Sequence, residues 1–205
     1  MKIAIKLMAI VNPNVIVLAG PNGAGKTTTA PTLLRETLGV VEFVNSDTIA
    51  LGLAAFSPEL VALEASAIML DHIRALGKKR KSFAFETTLA SLSLAPWLAE
   101  LIKTGYEFHL FFLWLPSVEF ALDRVADRVR MGGHNVPAET VRRRYHAGLR
   151  NFFSLYQPLA TKWRIYDNSV VADLRLIAAG KGKIVEQLGN ATIWRQIEEE
   201  YSHGK

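Results

Sequence analysis

The sequence predicts an α/β fold: a mainly parallel sheet of about five strands, covered by helices on both faces. Three observations carry this expectation. Short apolar, β-branched runs alternate with longer segments of helical period, which is the pattern of βαβ units. Those runs are nearly uninterrupted, as parallel strands buried on both faces should be. A glycine-rich loop then joins the first such run to the first helix.

The elements follow in order. Val15 to Ala19 (VIVLA), bounded by Pro13-Asn14 and by Gly20-Pro21-Asn22-Gly23, reads as a buried strand. Lys26 to Leu38 has helical spacing, and Val40 to Val44 is a second strand closed by Asn45-Ser46-Asp47. Leu60 to Leu76 fits a helix with an apolar stripe. Ser82 to Phe85 is a third strand, ending in Glu86-Thr87-Thr88. Pro96 to Thr104 is a short helix, and Phe108 to Leu115 a fourth strand whose Phe111, Phe112 and Trp114 belong to the core. A helix from Val118 to about Met131 leads through Gly132-Gly133-His134-Asn135-Val136-Pro137 into another from about Ala138 to Phe153. Trp163 to Tyr166 is a fifth strand and Thr192 to Tyr201 a polar closing helix. With no repeat and no low-complexity linker, residues 1–205 are expected to form one domain.

Composition narrows the chemistry. The 205 residues are 50% hydrophobic and 21% charged, which is globular composition. The absence of cysteine excludes a disulfide framework, a zinc–thiolate site and an iron–sulfur cluster. No apolar run is long enough for a membrane span. The start MKIAIKLMAIV has the charge and apolarity of a signal peptide but no Ala-x-Ala-like cleavage site, so a cytoplasmic protein is expected. The net charge of +5 is local: Arg124 to Arg150 holds seven arginines and two acids, and the rest carries 17 of each sign. Such a cluster suits a polyanion or a phosphorylated small molecule. No zinc-finger spacing or RNP-like run is present, so nucleic acid is not the expected partner.

Gly20-Pro21-Asn22-Gly23-Ala24-Gly25-Lys26-Thr27, followed by Thr28, matches G-x-x-x-x-G-K-[ST] in full. Glycines let backbone N–H groups turn inward around a phosphate, and the next helix adds its N-terminal donors. Lys26 would neutralise the β/γ-phosphates, and the Thr27 hydroxyl would ligate Mg2+. A P-loop ATP site on a three-layer, nucleotide-kinase-like fold is the expectation.

Two acids address what receives the phosphate. Asp47 ends the strand after the P-loop helix, where a carboxylate can accept a proton from a substrate hydroxyl. It also stands where a helix N-cap would. Glu86, backed by Thr87 and Thr88, closes another strand; it could orient the metal, hold a substrate hydroxyl, or cap a helix. The arginines form a third clue. Arg124 and Arg128 share a helix face, and a Gly-Gly turn separates them from Arg142, Arg143 and Arg144. Two such helices, over about residues 124–150, could fold as a lid over the phosphates and exclude water. Arg128 and one of the three, Arg143, are expected to act in catalysis; others would pair with Asp123, Asp127 and Glu139. His134 in the turn is a weaker candidate. Asp167-Asn168-Ser169 could contact adenine, and Phe152, Phe153, Tyr156 and Trp163 are read as packing residues.

The set GPNGAGKTT, FVNSD, FAFETT, DRVADRVRMGGHNVP, VRRRYHAGLRNF and RIYDNS resembles the zeta-toxin family of P-loop kinases over roughly Val15 to Ser169. The resemblance implies phosphorylation of a sugar hydroxyl, typically on UDP-N-acetylglucosamine. By it, Lys26 and Thr27 serve ATP and Mg2+, Asp47 is the base, Glu86 and Thr87 contact substrate, and Arg128 contacts phosphate. Where zeta toxins place a second phosphate-binding arginine this chain has His134, and Arg142 to Arg144 are candidates to replace it. An antitoxin partner is not inferable from the chain. The expected activity is ATP-dependent phosphoryl transfer to a small-molecule alcohol. The alternative is a P-loop ATPase or nucleotide-switched binding protein acting on RNA or a protein, which would not need Asp47.

Overall fold

The computed structural model describes residues 12–37, 42–133, 135–170 and 173–202. The start MKIAIKLMAIV, the first part of the expected second strand and His134 lie outside these residues.

The sheet has seven strands rather than about five. They are β1 (Asn14–Ala19), β2 (Phe43–Val44), β3 (Phe83–Thr87), β4 (Glu107–Trp114), β5 (Lys162–Asp167), β6 (Arg175–Lys181) and β7 (Ile184–Leu188). Their spatial order is β2-β3-β1-β4-β5-β6-β7. The first five are parallel, and β6 and β7 add an antiparallel hairpin at the edge. The hairpin escapes an apolar-run criterion because β7 lies at the rim, with Glu186 and Gln187 facing solvent. From β1 the chain crosses over β3 to reach β2, and later passes to the other side of β1 to form β4. That reversal leaves a crevice beyond the carboxyl ends of β1 and β3, where α/β sheets hold ligands.

Strand register explains the layers. Phe85, Val17, Leu110 and Trp163 are consecutive partners across four strands and therefore face the same side. Trp97 of α4 (Leu94–Lys103) lies 6.4 Å from Phe85, and Trp194 of α7 (Ala191–Tyr201) stacks on Trp163 at 5.4 Å. Phe152 meets Phe112 edge-on at 5.4 Å. The opposite-facing Ile16 and Leu18 are just as buried, so both faces are covered. Each such side chain contributes about 1.5–3 kcal/mol through burial. Phe152, Phe153, Tyr156 and Trp163 are all buried in the core, which is their packing role.

The remaining helices are α1 (Lys26–Ala30), α2 (Ser46–Leu53), α3 (Ala62–Lys78), α5 (Val118–Arg130) and α6 (Ala138–Asn151). The helix expected over Lys26 to Leu38 does not run straight through. Pro31 has no N–H to continue the ladder, and the chain widens into π-helical turns over Pro31–Thr37. Among the described residues no single helix is long and apolar enough to cross a membrane.

Candidate active site

The loop Gly20 to Gly25 follows β1 and turns on glycines. Gly25 has φ +76°, and a Cβ there would stand 2.9 Å from Asn168 Nδ2. The amide of Asn168 donates to Ala24 O at 2.7 Å, so the segment after β5 holds the loop from behind. Lys26, the first residue of α1, is buried and turns its ammonium back over the loop. Its Nζ donates to Gly20 O and Pro21 O, both at 3.0 Å. Burial lowers its pKa; Glu86 and Asp47 oppose that shift, while Arg128 and Arg144 reinforce it. Four ionisable groups from four different elements thus converge on Lys26.

The Thr27 hydroxyl donates to Glu86 at 3.1 Å from Oε2. Burial raises the pKa of Glu86, against the lowering effects of Lys26 and the Thr27 hydrogen bond. Asn45 completes this group. Its Nδ2 donates to Thr27 Oγ1 at 3.5 Å, and its Oδ1 accepts the N–H groups of Asp47 at 2.7 Å and Thr48 at 3.2 Å. Asn45, not Asp47, is therefore the N-cap of α2. Asp47 sits in the first turn with an exposed carboxylate on the wall of the crevice. Asn45 was missed by sequence reasoning, although Asn-Ser-Asp-Thr before Ile49-Ala50-Leu51 carries a capping signal.

The arginines separate into distinct environments. Arg124 donates from Nη2 to Ser169 O at 2.8 Å and lies over the Phe120 ring. Arg128 is half-buried and acts on Lys26 through its charge. Arg130 pairs with Asp127, and Arg142 pairs with Glu119 at 2.9 Å, tying α6 to α5. Arg143 is exposed, whereas Arg144 is half-buried and lines the crevice. Burial lowers the Arg144 pKa, Arg143 adds to that, and Asp47 counters it.

The crevice itself is a cleft of about 550 Å³ bounded by α2, α3, the loop after β3 and the start of α6. Lys26, Asp47, Glu86, Thr87, Thr88 and Arg144 all line it. Thr27 and Thr28 are exposed on α1. The loop after β3 is held tightly. Leu89 is fully buried in the left-handed region at φ +57°, its N–H bonded to Thr87 Oγ1 and its carbonyl to Asn151 Nδ2. Backbone strain of this kind gathers at functional sites. Gly148 of α6 makes the fit possible, since a Cβ there would stand 2.4 Å from Thr88 O.

A family model for an AAA domain, AAA_33, matches residues 15–152, from β1 to the end of α6. The chain belongs to this family. Its sheet, loop and flanking helices form the three-layer α/β fold of the P-loop kinases. An uncharacterized protein of Haemophilus influenzae is 29% identical over 142 residues, which span 68% of this chain and 98% of that protein. The crystal structure of the AvrRxo1-ORF1:ORF2 complex with ATP contains a similar chain, with a TM-score of 0.72 at 21% identity. The match covers 95% of this chain and 65% of that one, so this chain spans about two thirds of its length. A chain of the PezAT toxin–antitoxin system of Streptococcus pneumoniae is similar too, with a TM-score of 0.59 at 17% identity, over 95% of this chain and 80% of that one. At these identities the likeness is one of fold.

Proposed function

We propose that this family member is an ATP-dependent kinase that transfers the γ-phosphoryl group to a hydroxyl of a small molecule held in the cleft. The observation that carries the reading is the placement of Asp47. It is free of the capping duty that Asn45 performs, lies on the cleft wall, and is close enough to act electrostatically on Lys26. A carboxylate so placed can orient an acceptor hydroxyl and take its proton late in a loose transition state. An ATPase or nucleotide switch acting on RNA or protein needs no such group.

The donor set fits ATP and Mg2+. Gly23 and Gly25 have φ +81° and +76°, and a Cβ at Gly23 would stand 2.7 Å from Ala121 O, so the loop is a cradle only glycine can make. Asn22 Oδ1 is buried on the cleft wall with no hydrogen-bond partner among the described residues. Thr27 and Glu86 offer hard oxygen donors, and the described residues gather no cluster of three or more His, Asp or Glu. That sparse set suits an ion held mostly by phosphate and water. When bound, Mg2+ would neutralise charge on the β- and γ-phosphates. Lys26 would leave its carbonyl partners for the phosphate oxygens. Arg128 and Arg144, from the two helices read as a lid, would stabilise charge on the transferring group, and Arg124 would border the nucleotide beside Ser169. Thr87 and Thr88 would hold the acceptor.

An ATP donor is consistent with the cytoplasmic protein expected from the sequence. The zeta-toxin resemblance supplies one acceptor candidate, a UDP-activated amino sugar such as UDP-N-acetylglucosamine, and the PezAT likeness supports an antitoxin partner for that role. The test of the kinase reading is transfer from γ-labelled ATP to a panel of alcohols, by the wild-type chain and by Asp47→Asn. The variant is expected to bind Mg·ATP normally and to transfer nothing. Full transfer by Asp47→Asn would remove the catalytic assignment; label released only as phosphate on addition of RNA or protein would favour the switch.

A further inference from the structure

Between Gly20 and Gly25 the phosphate loop carries one side chain able to form hydrogen bonds, that of Asn22. Asn22 is only 8% exposed, yet it lines the same cleft as Lys26, Asp47, Thr87 and Thr88. Its Oδ1 is buried and has no hydrogen-bond partner among the described residues.

The turn itself has no use for that oxygen. It is closed by the Ala24 N–H, which donates to Pro21 O at 3.2 Å, and Gly23 supplies the positive φ of +81°. Asn22 is not in the left-handed region, so the tolerance of asparagine for that conformation is not called upon. Nor does its Oδ1 accept a backbone N–H, as an asparagine that shapes a turn would. A buried carbonyl left unpaired costs stability, and in a cleft it points to a donor that arrives with a ligand.

We infer that Asn22 determines acceptor specificity: its Oδ1 accepts a hydrogen bond from the acceptor, which therefore carries an O–H or N–H donor besides the hydroxyl that is phosphorylated. The inference rests on the kinase reading and deepens it. The other groups of the reaction are committed elsewhere. Ionised phosphate oxygens are acceptors and would repel an amide oxygen. Lys26, Arg128 and Arg144 are needed by the phosphates. The reacting hydroxyl has a single proton, and transfer uses it. The acceptor oxygen bonds the γ-phosphorus as the bond to the β–γ bridging oxygen breaks; ADP leaves, and that proton passes to Asp47 and then to water. A second donor on the same molecule is what remains. Water has two donors and could satisfy Oδ1, but it offers no carbon framework to fill a cleft of about 550 Å³. An acceptor lacking the second donor would leave Oδ1 unpaired once the cleft is filled, and a site that binds a hydrogen-bonding group in this way rejects the analogue without it.

The experiment is a double-mutant cycle between Asn22 and single donors of the acceptor. Wild type, Asn22→Ala and Asn22→Asp are each given γ-labelled ATP, Mg2+ and one of N-acetylglucosamine, UDP-N-acetylglucosamine or uridine, or a mono-deoxy or N-methyl analogue of these. For a parent that wild type labels, one analogue that keeps the reacting hydroxyl should lose about tenfold or more in kcat/KM. In Asn22→Ala, parent and analogue should react alike, with a raised KM for the parent and a smaller change in the Kd for Mg·ATP, read by calorimetry. Asn22→Asp keeps an acceptor oxygen in place, so the preference for the parent should return, while the charge added beside the phosphates weakens Mg·ATP binding. Equal rates for all such analogues in wild type, or the same loss in Asn22→Ala, overturn the inference and leave the kinase reading intact. A defect in Asn22→Ala confined to affinity for Mg2+ or Mg·ATP also overturns it, by giving the oxygen to the metal or the nucleotide. Label on no member of the panel, with Mg·ATP still bound, overturns the kinase reading itself and the inference with it.

Discussion

Asn45 donates its side-chain amide to the hydroxyl of Thr27 across 3.5 Å, joining the cap of α2 to the first turn of α1. One short side chain thereby sets the carboxylate of Asp47 relative to the hydroxyl meant for the metal. Its two functions are separable. Asn45→Ala should cost about 1 kcal/mol of stability through the lost cap and reduce kcat as well. Asn45→Ser caps nearly as well but is too short to reach Thr27, so denaturation should return close to wild type while kcat stays low. Recovery of both together would make Asn45 a cap and nothing more.

The arginines give a second test. Arg144 lines the cleft and Arg143, its neighbour, faces solvent. Arg144→Ala and Arg128→Ala should each lower kcat by about 10²-fold or more, with a smaller rise in the KM for ATP, because charge grows on the transferring group in the transition state. Arg143→Ala should leave steady-state kinetics within about twofold of wild type, as expected of an exposed site. The reverse ranking would place Arg143 over the phosphates.

Burial holds the Glu86 carboxyl above its ordinary range, outweighing Lys26 and the Thr27 hydroxyl. The folded protein therefore keeps this proton to higher pH than the unfolded chain does. The stability this confers is present below the ordinary glutamate value and is lost as pH rises through the elevated one. Holding Mg2+ requires the ionised form, so Mg·ATP affinity should rise across the same interval. Glu86→Gln should flatten both profiles, read by denaturant melts and by calorimetry from about pH 4 to pH 8. Identical pH slopes in the variant would assign the dependence to another group.

Gly148→Ala tests the seat of the acceptor loop. The added methyl would stand 2.4 Å from Thr88 O, an overlap that should cost about 1–3 kcal/mol. Because Thr88 lines the cleft, the KM for the acceptor should rise more than the KM for ATP. An unchanged unfolding midpoint would show that α6 and the loop part easily.

How much of this was legible in the sequence depends on how locally each feature is encoded. The P-loop, the parallel strands and the acids at their ends are written in contiguous residues, so Lys26, Thr27, Asp47 and Glu86 could be placed before any coordinates. The choice among Arg142, Arg143 and Arg144 could not. Successive helical positions differ by about a third of a turn, and only packing decides which turns inward; Glu119 takes Arg142 and the cleft takes Arg144. Asn45 was hidden for a different reason, since its second contact lies on another element. The β6–β7 hairpin left a faint trace in Lys181-Gly182-Lys183, where Gly182 turns at φ +51°, but its outer strand is too polar to read as sheet.

The hydrogen bond from Asn168 to Ala24 spans 144 positions. During synthesis the glycine loop leaves the ribosome long before the amide that braces it, and domains fold as units once their parts are present. The brace of the phosphate loop is thus among the later contacts the growing chain can make. A nascent fragment stopping short of Asn168 would contain every residue of the phosphate-binding motif and still lack the amide that holds the loop from behind.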